Sequence, residues 1–277
     1  MDRFKTIINN LIALCGQQED IKAVIAIGSQ TRSYMKADIY SDLDIIVACD
    51  YPEKLLYSDE YISRLGNLQI SFLEDTIAGQ KERRVLFDGS LDVDFIVLPT
   101  EHLRVALEQH LIDDIMKRGF HVLFDRFGYG NLLEKITTGQ QKRNVILSED
   151  SYINLINDFY YHVIWSEKKI CRGEIWTALM CIDSYLKNHL LKIIEMYQVC
   201  TKGENYDVWH NGRLLESWAD EDIVEDLKHC FGHYDEKDLH KALSNTEKLF
   251  TRLARVCATK CGYSYPEKAY GYLKSNP

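Results

Sequence analysis

Nowhere in the 277 residues is there the run of ~18 or more apolar residues that a membrane-spanning helix needs. The opening MDRFKTIINNLIALCG does not read as a secretion signal. Asn9 and Asn10 break its apolar stretch, and no small-residue cleavage site follows. It reads instead as an amphipathic helix with Phe4, Ile7, Ile8, Leu11 and Leu14 on one face. No membrane partner and a cytoplasmic location are expected. Cys-x-x-Cys is absent as well. The eight cysteines stand singly, and Cys257 and Cys261, four apart, have no second ligand pair near them in sequence. Reduced, mostly buried thiols are expected rather than a structural zinc. A basic stripe is also missing. The net charge is −9 and the lysines and arginines are dispersed, which argues against a nucleic-acid partner. The acidic residues do cluster, from Glu216 to Leu227. That run points either to a cationic partner or to a solvated helix face. There are only four prolines, and none interrupts the long helical stretches.

What is present divides into two halves. In the first, helical and strand patterns alternate. Ala23–Ser29, Leu43–Cys49, Leu68–Glu74, Arg83–Gly89, Leu91–Pro99 and His121–Asp125 read as strands. Leu68–Glu74 alternates with period two, as a half-buried strand should, and Asp88-Gly89-Ser90 marks a hairpin. Glu53 to about Leu65 and His102–Gly119 read as helices, each stopped by glycine. From Glu149 onward the strand signals vanish. Two long helical segments follow, with Ile153, Ile156, Tyr160, Val163 and Ile164, then Leu179, Ile182, Leu186, Leu190, Ile193 and Ile194, on their inner faces. Two or three more helices complete the chain. The expected class is α+β: a mixed sheet flanked by helices over residues 1–140, then an α-helical bundle over 141–277, joined near Gly139–Asn144.

The chemistry concentrates in IAIGSQTRSYMKADIYSDLDIIVA, Ile25–Ala48. Asp42 and Asp44 sit one residue apart, so on a strand they share a face. Two such carboxylates repel unless a cation lies between them. Hard divalent ions such as Mg²⁺ take carboxylate oxygens and share them with substrate phosphates. Gly28 lets a phosphate approach the backbone, and Ser29 adds a hydroxyl donor. A third carboxylate comes from Leu91–Pro99, where Asp92 and Asp94 share one face of an otherwise apolar strand. If the two strands are neighbours, three acids converge. Such a set can hold two metal ions that clamp the attacking and leaving oxygens of an in-line phosphoryl or nucleotidyl transfer.

Gly-Ser after a buried strand, then D-x-D, then an aspartate in a later apolar strand resembles the nucleotidyltransferase superfamily that includes DNA polymerase β. The whole chain also resembles the bacterial aminoglycoside 6-adenylyltransferases, the streptomycin-modifying group. The matching stretches are Gly28–Gln30, Ser41–Asp44, Leu86–Gly89, Val93–Pro99 and Val122–Arg126. In the helical half they are the aromatic stretch from Asp158, the charged residues Lys168, Arg172 and Glu174, and the closing GYSYPEKAYGYL. Counted back from Pro99, the family's third aspartate falls on Asp94. The chain departs from the family at Gln30, where arginine is usual, and at Leu43, where tyrosine is preferred. It departs again at Phe159–Tyr161, where tryptophans are common, and in the segment around Arg213, where lysines are.

The resemblance implies transfer of AMP from Mg²⁺-bound ATP to a hydroxyl of a cationic aminoglycoside such as streptomycin, with release of pyrophosphate. It implies Gly28 and Ser29 at the triphosphate, with Arg32 and Lys36 as further phosphate contacts. Asp42 and Asp44 would be metal ligands. Asp94 would be either a ligand to a second metal or the base for the acceptor hydroxyl. Glu174, Trp165, Tyr160 and Tyr161 are the acceptor-binding candidates. Glu174 could equally serve as a base or pair with Arg172. The same chemistry on a lincosamide or a protein hydroxyl, a non-catalytic nucleotide-binding module and a polynucleotide polymerase are the alternatives. Monomer and homodimer are both open.

Overall fold

The computed structural model describes residues 1–76, 79–136, 138 and 145–275. The expected junction at Gly139–Asn144 lies outside the described residues. The chain divides into two compact units, Met1–Gln141 and Lys142–Pro277.

The first unit is built on one six-stranded mixed sheet. Its strands are β1 (Ile21–Ile27), β2 (Leu43–Cys49), β3 (Leu68–Asp75), β4 (Lys81–Phe87), β5 (Leu91–Pro99) and β6 (Phe120–Asp125), in the order β3-β4-β5-β2-β1-β6. Only β2 and β5 pair in parallel. The helices are α1 (Lys5–Gln17), α2 (Pro52–Tyr57), α3 (Asp59–Ile62), α4 (Thr100–Glu108), α5 (Asp113–Met116) and α6 (Gly130–Leu133).

Alternation along the strands sorts side chains onto two faces. Val24, Ala26, Leu43, Ile45, Val47, Val93, Phe95 and Val97 face one core, which α1, α2 and α3 close. All five apolar residues expected on the inner face of the first helix are buried there. Ala23, Ile25, Ile27, Ile46, Ala48 and Leu98 face the other core, closed by Leu103, Leu107, Met116 and Leu133. Asp94 lies on this second face, because it alternates with the buried Val93 and Phe95.

Three expectations change. The helix expected over Glu53–Leu65 is two short ones. Ser58 turns to an extended backbone, and its hydroxyl caps α3 by accepting from the Glu60 amide at 3.2 Å. The helix expected over His102–Gly119 also breaks, because His110 adopts φ +58° between α4 and α5. β3 is mostly exposed rather than half-buried, with Ile70 57% and Phe72 53% exposed. It is the outermost strand of the sheet, and among the described residues nothing pairs with its far edge.

The second unit is helical. It contains α7 (Glu149–Cys171), α8 (Ile175–Met180), α9 (Leu186–Lys202), α10 (Leu215–Trp218), α11 (Glu221–Leu227), α12 (Glu236–Cys261) and α13 (Glu267–Ser275). A π-helical segment, Cys181–Tyr185, joins α8 to α9. Phe159 stacks on Phe250 at 3.6 Å between ring centroids, tying α7 to α12. Of the inner-face residues expected on α7 and α8, Ile153, Ile164 and Leu179 are only half-buried, and Leu155, Phe159 and Ala178 are buried instead. Among the described residues, no helix is long and apolar enough to cross a membrane.

The acidic run Glu216–Leu227 is largely matched from within this unit. Arg252 bonds Asp222 at 2.7 Å and Asp226 at 2.6 Å, Lys202 reaches Asp220 at 2.8 Å, and Lys228 pairs with Glu225. A cationic partner is not needed to explain it.

Candidate active site

Register places the site. β1 and β2 run antiparallel with Ile27 opposite Asp44, and β2 and β5 run parallel with Asp44 opposite Asp94. β4 continues the row with Arg84 opposite Asp94, and β3 with Phe72 opposite Arg84. Directly opposed residues share a sheet face. Asp44, Asp94 and Arg84 therefore stand side by side on the second face, near the beginnings of β2 and β5. Asp42 lies just before β2, yet its carboxylate joins the others. One oxygen from each of Asp42, Asp44 and Asp94 lies within 4.8 Å of the other two. Asp92 stays outside this set and is exposed.

Gly28 makes the cluster possible. It follows β1 with φ +71°, at the start of a short 3-10 turn through Thr31. A Cβ built there would lie 2.0 Å from Asp44 Oδ2, so only a residue without one fits. Gly28→Ala should lower kcat/KM by at least 10²-fold, on the order of one lost electrostatic contact at the reacting centre. Circular dichroism should show the fold retained. Wild-type turnover in that variant would mean that Asp44 is not held where the reaction needs it.

The next residues fasten the loop that separates the two motifs. Ser29 is buried, and its hydroxyl lies 3.4 Å from the Asp42 carbonyl oxygen. Gln30 Nε2 donates to the same carbonyl at 3.0 Å. Arg32 lies just beyond the turn and is half-buried, and Lys36 is exposed.

The charges around Asp94 are unequal. Burial pushes its carboxyl up to about 6; the Arg84 guanidinium opposes that, while Glu82, Asp42 and Asp92 add to it. Arg84 Nη2 is 3.7 Å from Asp94 Oδ2, and its Nε bonds Glu74 at 2.7 Å and Glu82 at 2.9 Å. Asp42, Asp92, Asp94 and Arg84 line a cleft of about 320 Å³ together with Ile70 and Phe72. Gln30, Glu82 and Arg84 were not among the site residues expected from sequence. The signal for Arg84 was in the hairpin. Three residues back from Phe87 is Arg84, and three on from Leu91 is Asp94.

Three buried or half-buried carboxylates meeting beside a glycine turn can neutralise cations and bring phosphate to the backbone. The streptomycin adenylyltransferase family model matches residues 1–275. The chain belongs to that family. Family membership makes it an adenylyltransferase, a nucleotidyl-transferring enzyme. It is 21% identical to the aminoglycoside 6-adenylyltransferase of Bacillus subtilis, over 92% of this chain and 90% of that one. It is likewise 21% identical to that of Campylobacter jejuni, over 91% and 88%. Alignment with the crystal structure of an aminoglycoside 6-adenyltransferase from Bacillus subtilis covers 99% of this chain and 95% of that one. The TM-score is 0.44 and the identity 15%.

The family's helical-half residues are placed unevenly. Tyr160 is a core residue, 2% exposed, with its hydroxyl 2.9 Å from Thr251 Oγ1 and bonded to Tyr265. It has no surface to give an acceptor. Burial raises its phenol far above the usual range. Tyr161, next to it, is exposed, and Trp165 is half-buried with Lys169 Nζ 5.1 Å over its ring. Glu174 is held by Lys169 at 2.6 Å and Arg172 at 2.9 Å. Those partners keep its carboxyl below the ordinary range, the Lys169 hydrogen bond contributing most.

Proposed function

We propose that this enzyme transfers AMP from ATP to a hydroxyl of an aminoglycoside, at the 6-position in streptomycin, and releases pyrophosphate. The convergence of Asp42, Asp44 and Asp94 beside Gly28 is the observation that carries the reading. The donor set fits Mg²⁺: three carboxylates, all-oxygen and hard, one of them largely removed from water. Bound there, the ion would neutralise phosphate charge and align attacking and leaving oxygens in line. Asp44 of β2 and Asp42 just before it would hold the ion. Asp94 has two available roles, ligand or base. Its raised affinity for a proton suits a group that takes one from the acceptor hydroxyl near neutral pH.

The turn at Gly28 leaves room for the triphosphate, the buried Ser29 braces that turn through the Asp42 carbonyl, and the positive charges of Arg32 and Lys36 complete the seat. Residues 1–140 act as the nucleotidyltransferase domain. Residues 141–277 supply acceptor contacts, of which Tyr161 and Trp165 have accessible surface. Glu174 begins already neutralised, so an ammonium of the acceptor has to compete with Lys169 for it.

The test is an adenylylation screen with labelled ATP across streptomycin, other aminoglycosides, lincosamides and protein. NMR of the product identifies the modified hydroxyl. Label on the streptomycin 6-hydroxyl, with equimolar pyrophosphate, is the expected result. Transfer to a lincosamide or protein alone would overturn the acceptor. Silence with every acceptor and divalent metal would overturn the activity.

A further inference from the structure

Cys257 and Cys261 lie one helical turn apart near the end of α12, and the fold brings a third thiol to them. Cys200, in the last turn of α9, has its Sγ 3.3 Å from that of Cys261. The two sulfurs would need to close by about 1 Å to reach the ~2.05 Å of a disulfide. α9 and α12 are packed neighbours within the helical unit, so no rearrangement of the chain is required.

We propose that Cys200 and Cys261 form a peroxide-sensitive modification site, oxidised to a reversible disulfide that staples the ends of α9 and α12. Exposure separates this pair from the rest. Cys200 and Cys261 are half-buried, whereas Cys257 is fully buried one turn behind them. Cys15, Cys49, Cys181 and Cys230 are buried, and Cys171 is exposed on α7.

The local charges favour a thiolate within the cluster. The Cys200 thiol is drawn below its usual range, chiefly by the Cys257 hydrogen bond, then by that of Cys261 and the nearby Lys260 ammonium. The Cys261 thiol is pushed the other way by burial and by Cys200 itself. First attack by Cys200 or by Cys261 gives the same disulfide. With Cys200 first, its thiolate attacks one oxygen of hydrogen peroxide. An S–O bond forms, the O–O bond breaks, and hydroxide leaves to become water. Cys261 then attacks the sulfenic sulfur, its S–H proton goes to the departing oxygen, and a second water leaves. The thiols lose two electrons and the peroxide gains them. Cys171, lacking this neighbour, would stop at an oxygen adduct.

The experiment uses the full chain with stoichiometric hydrogen peroxide, followed by intact mass and peptide mapping. Expected are a loss of about 2 Da, a Cys200–Cys261 cross-linked peptide and full reversal by dithiothreitol. The oxidised protein should melt later, by on the order of 5 °C, because the staple closes a long loop. Cys261→Ser and Cys200→Ser should each abolish the Cys200–Cys261 cross-linked peptide, and dimedone should trap the sulfenic acid on the thiol left without its partner. Cys257→Ser should still form the cross-link. Folded protein in which peroxide leaves these two peptides unlinked, or links Cys257 instead, would overturn the proposal.

Discussion

Asp44→Asn should cut nucleotidyl transfer by on the order of 10³-fold while the protein melts within a few degrees of wild type. The substitution keeps the size of the side chain at the position facing Gly28 and removes only its negative charge. Asp44 lies within the row, with Ile27 opposite it on β1 and Asp94 opposite it on β5. Asp42→Asn removes a carboxylate from the same cluster and should behave alike. Steady-state kinetics with saturating Mg²⁺, alongside thermal melts of each variant, decide the matter. Retained turnover in either would sink the metal assignment.

Asp94→Asn should separate activity from stability. Transfer should fall by at least 10²-fold, with nucleotide binding surviving because Asp42 and Asp44 remain. The metal-free protein, however, should become more stable at pH 8. Asp94 is raised from 3.8 to about 6 in the folded state. A carboxyl so raised binds its proton more tightly folded than unfolded. Its contribution is fully present below about pH 4 and is lost as the pH climbs through about 6. At pH 8 the buried charge therefore costs the fold roughly 2–3 kcal/mol, which asparagine does not impose. Melts in EDTA at pH 4 and pH 8 measure this. Wild type should lose stability relative to the variant between those two values. A variant no more stable than wild type at pH 8 would show that Asp94 is not strained by its burial. Full activity in Asp94→Asn, with Asp92→Asn inactive, would place the third carboxylate on the wrong residue.

Much of this site could be read before any coordinates. The apolar alternation of Leu43–Cys49 and Leu91–Pro99 fixes which residues turn inward, and that leaves the aspartates on the opposite face. A one-residue slip would bury them in the wrong core, so packing specifies the register. What could not be read were features set by contact between distant segments. The hairpin register sets Arg84 opposite Asp94, but nothing in Lys81–Phe87 says that Arg84 also reaches Glu74 on the neighbouring strand. Nothing near Tyr160 says that Thr251 and Tyr265 take its hydroxyl. Periodicity marked Tyr160 as inward, whereas the family's aromatic pattern marked it as a ligand contact; the packing follows the periodicity. The two broken helices failed for a local reason. Ser58 offered a side-chain cap that competed with the helix, and at His110 the backbone turns left-handed, each where the apolar pattern ran straight through.

Gln30 gains a meaning from where its amide points. By holding the Asp42 carbonyl, it pins the far end of the Arg32–Ser41 segment to the turn at its near end. The intervening residues then hang from a closed neck. A change in the length of that loop would then leave both aspartates in place, so the segment carrying Arg32 and Lys36 can adjust to the nucleotide without disturbing the carboxylates beneath it.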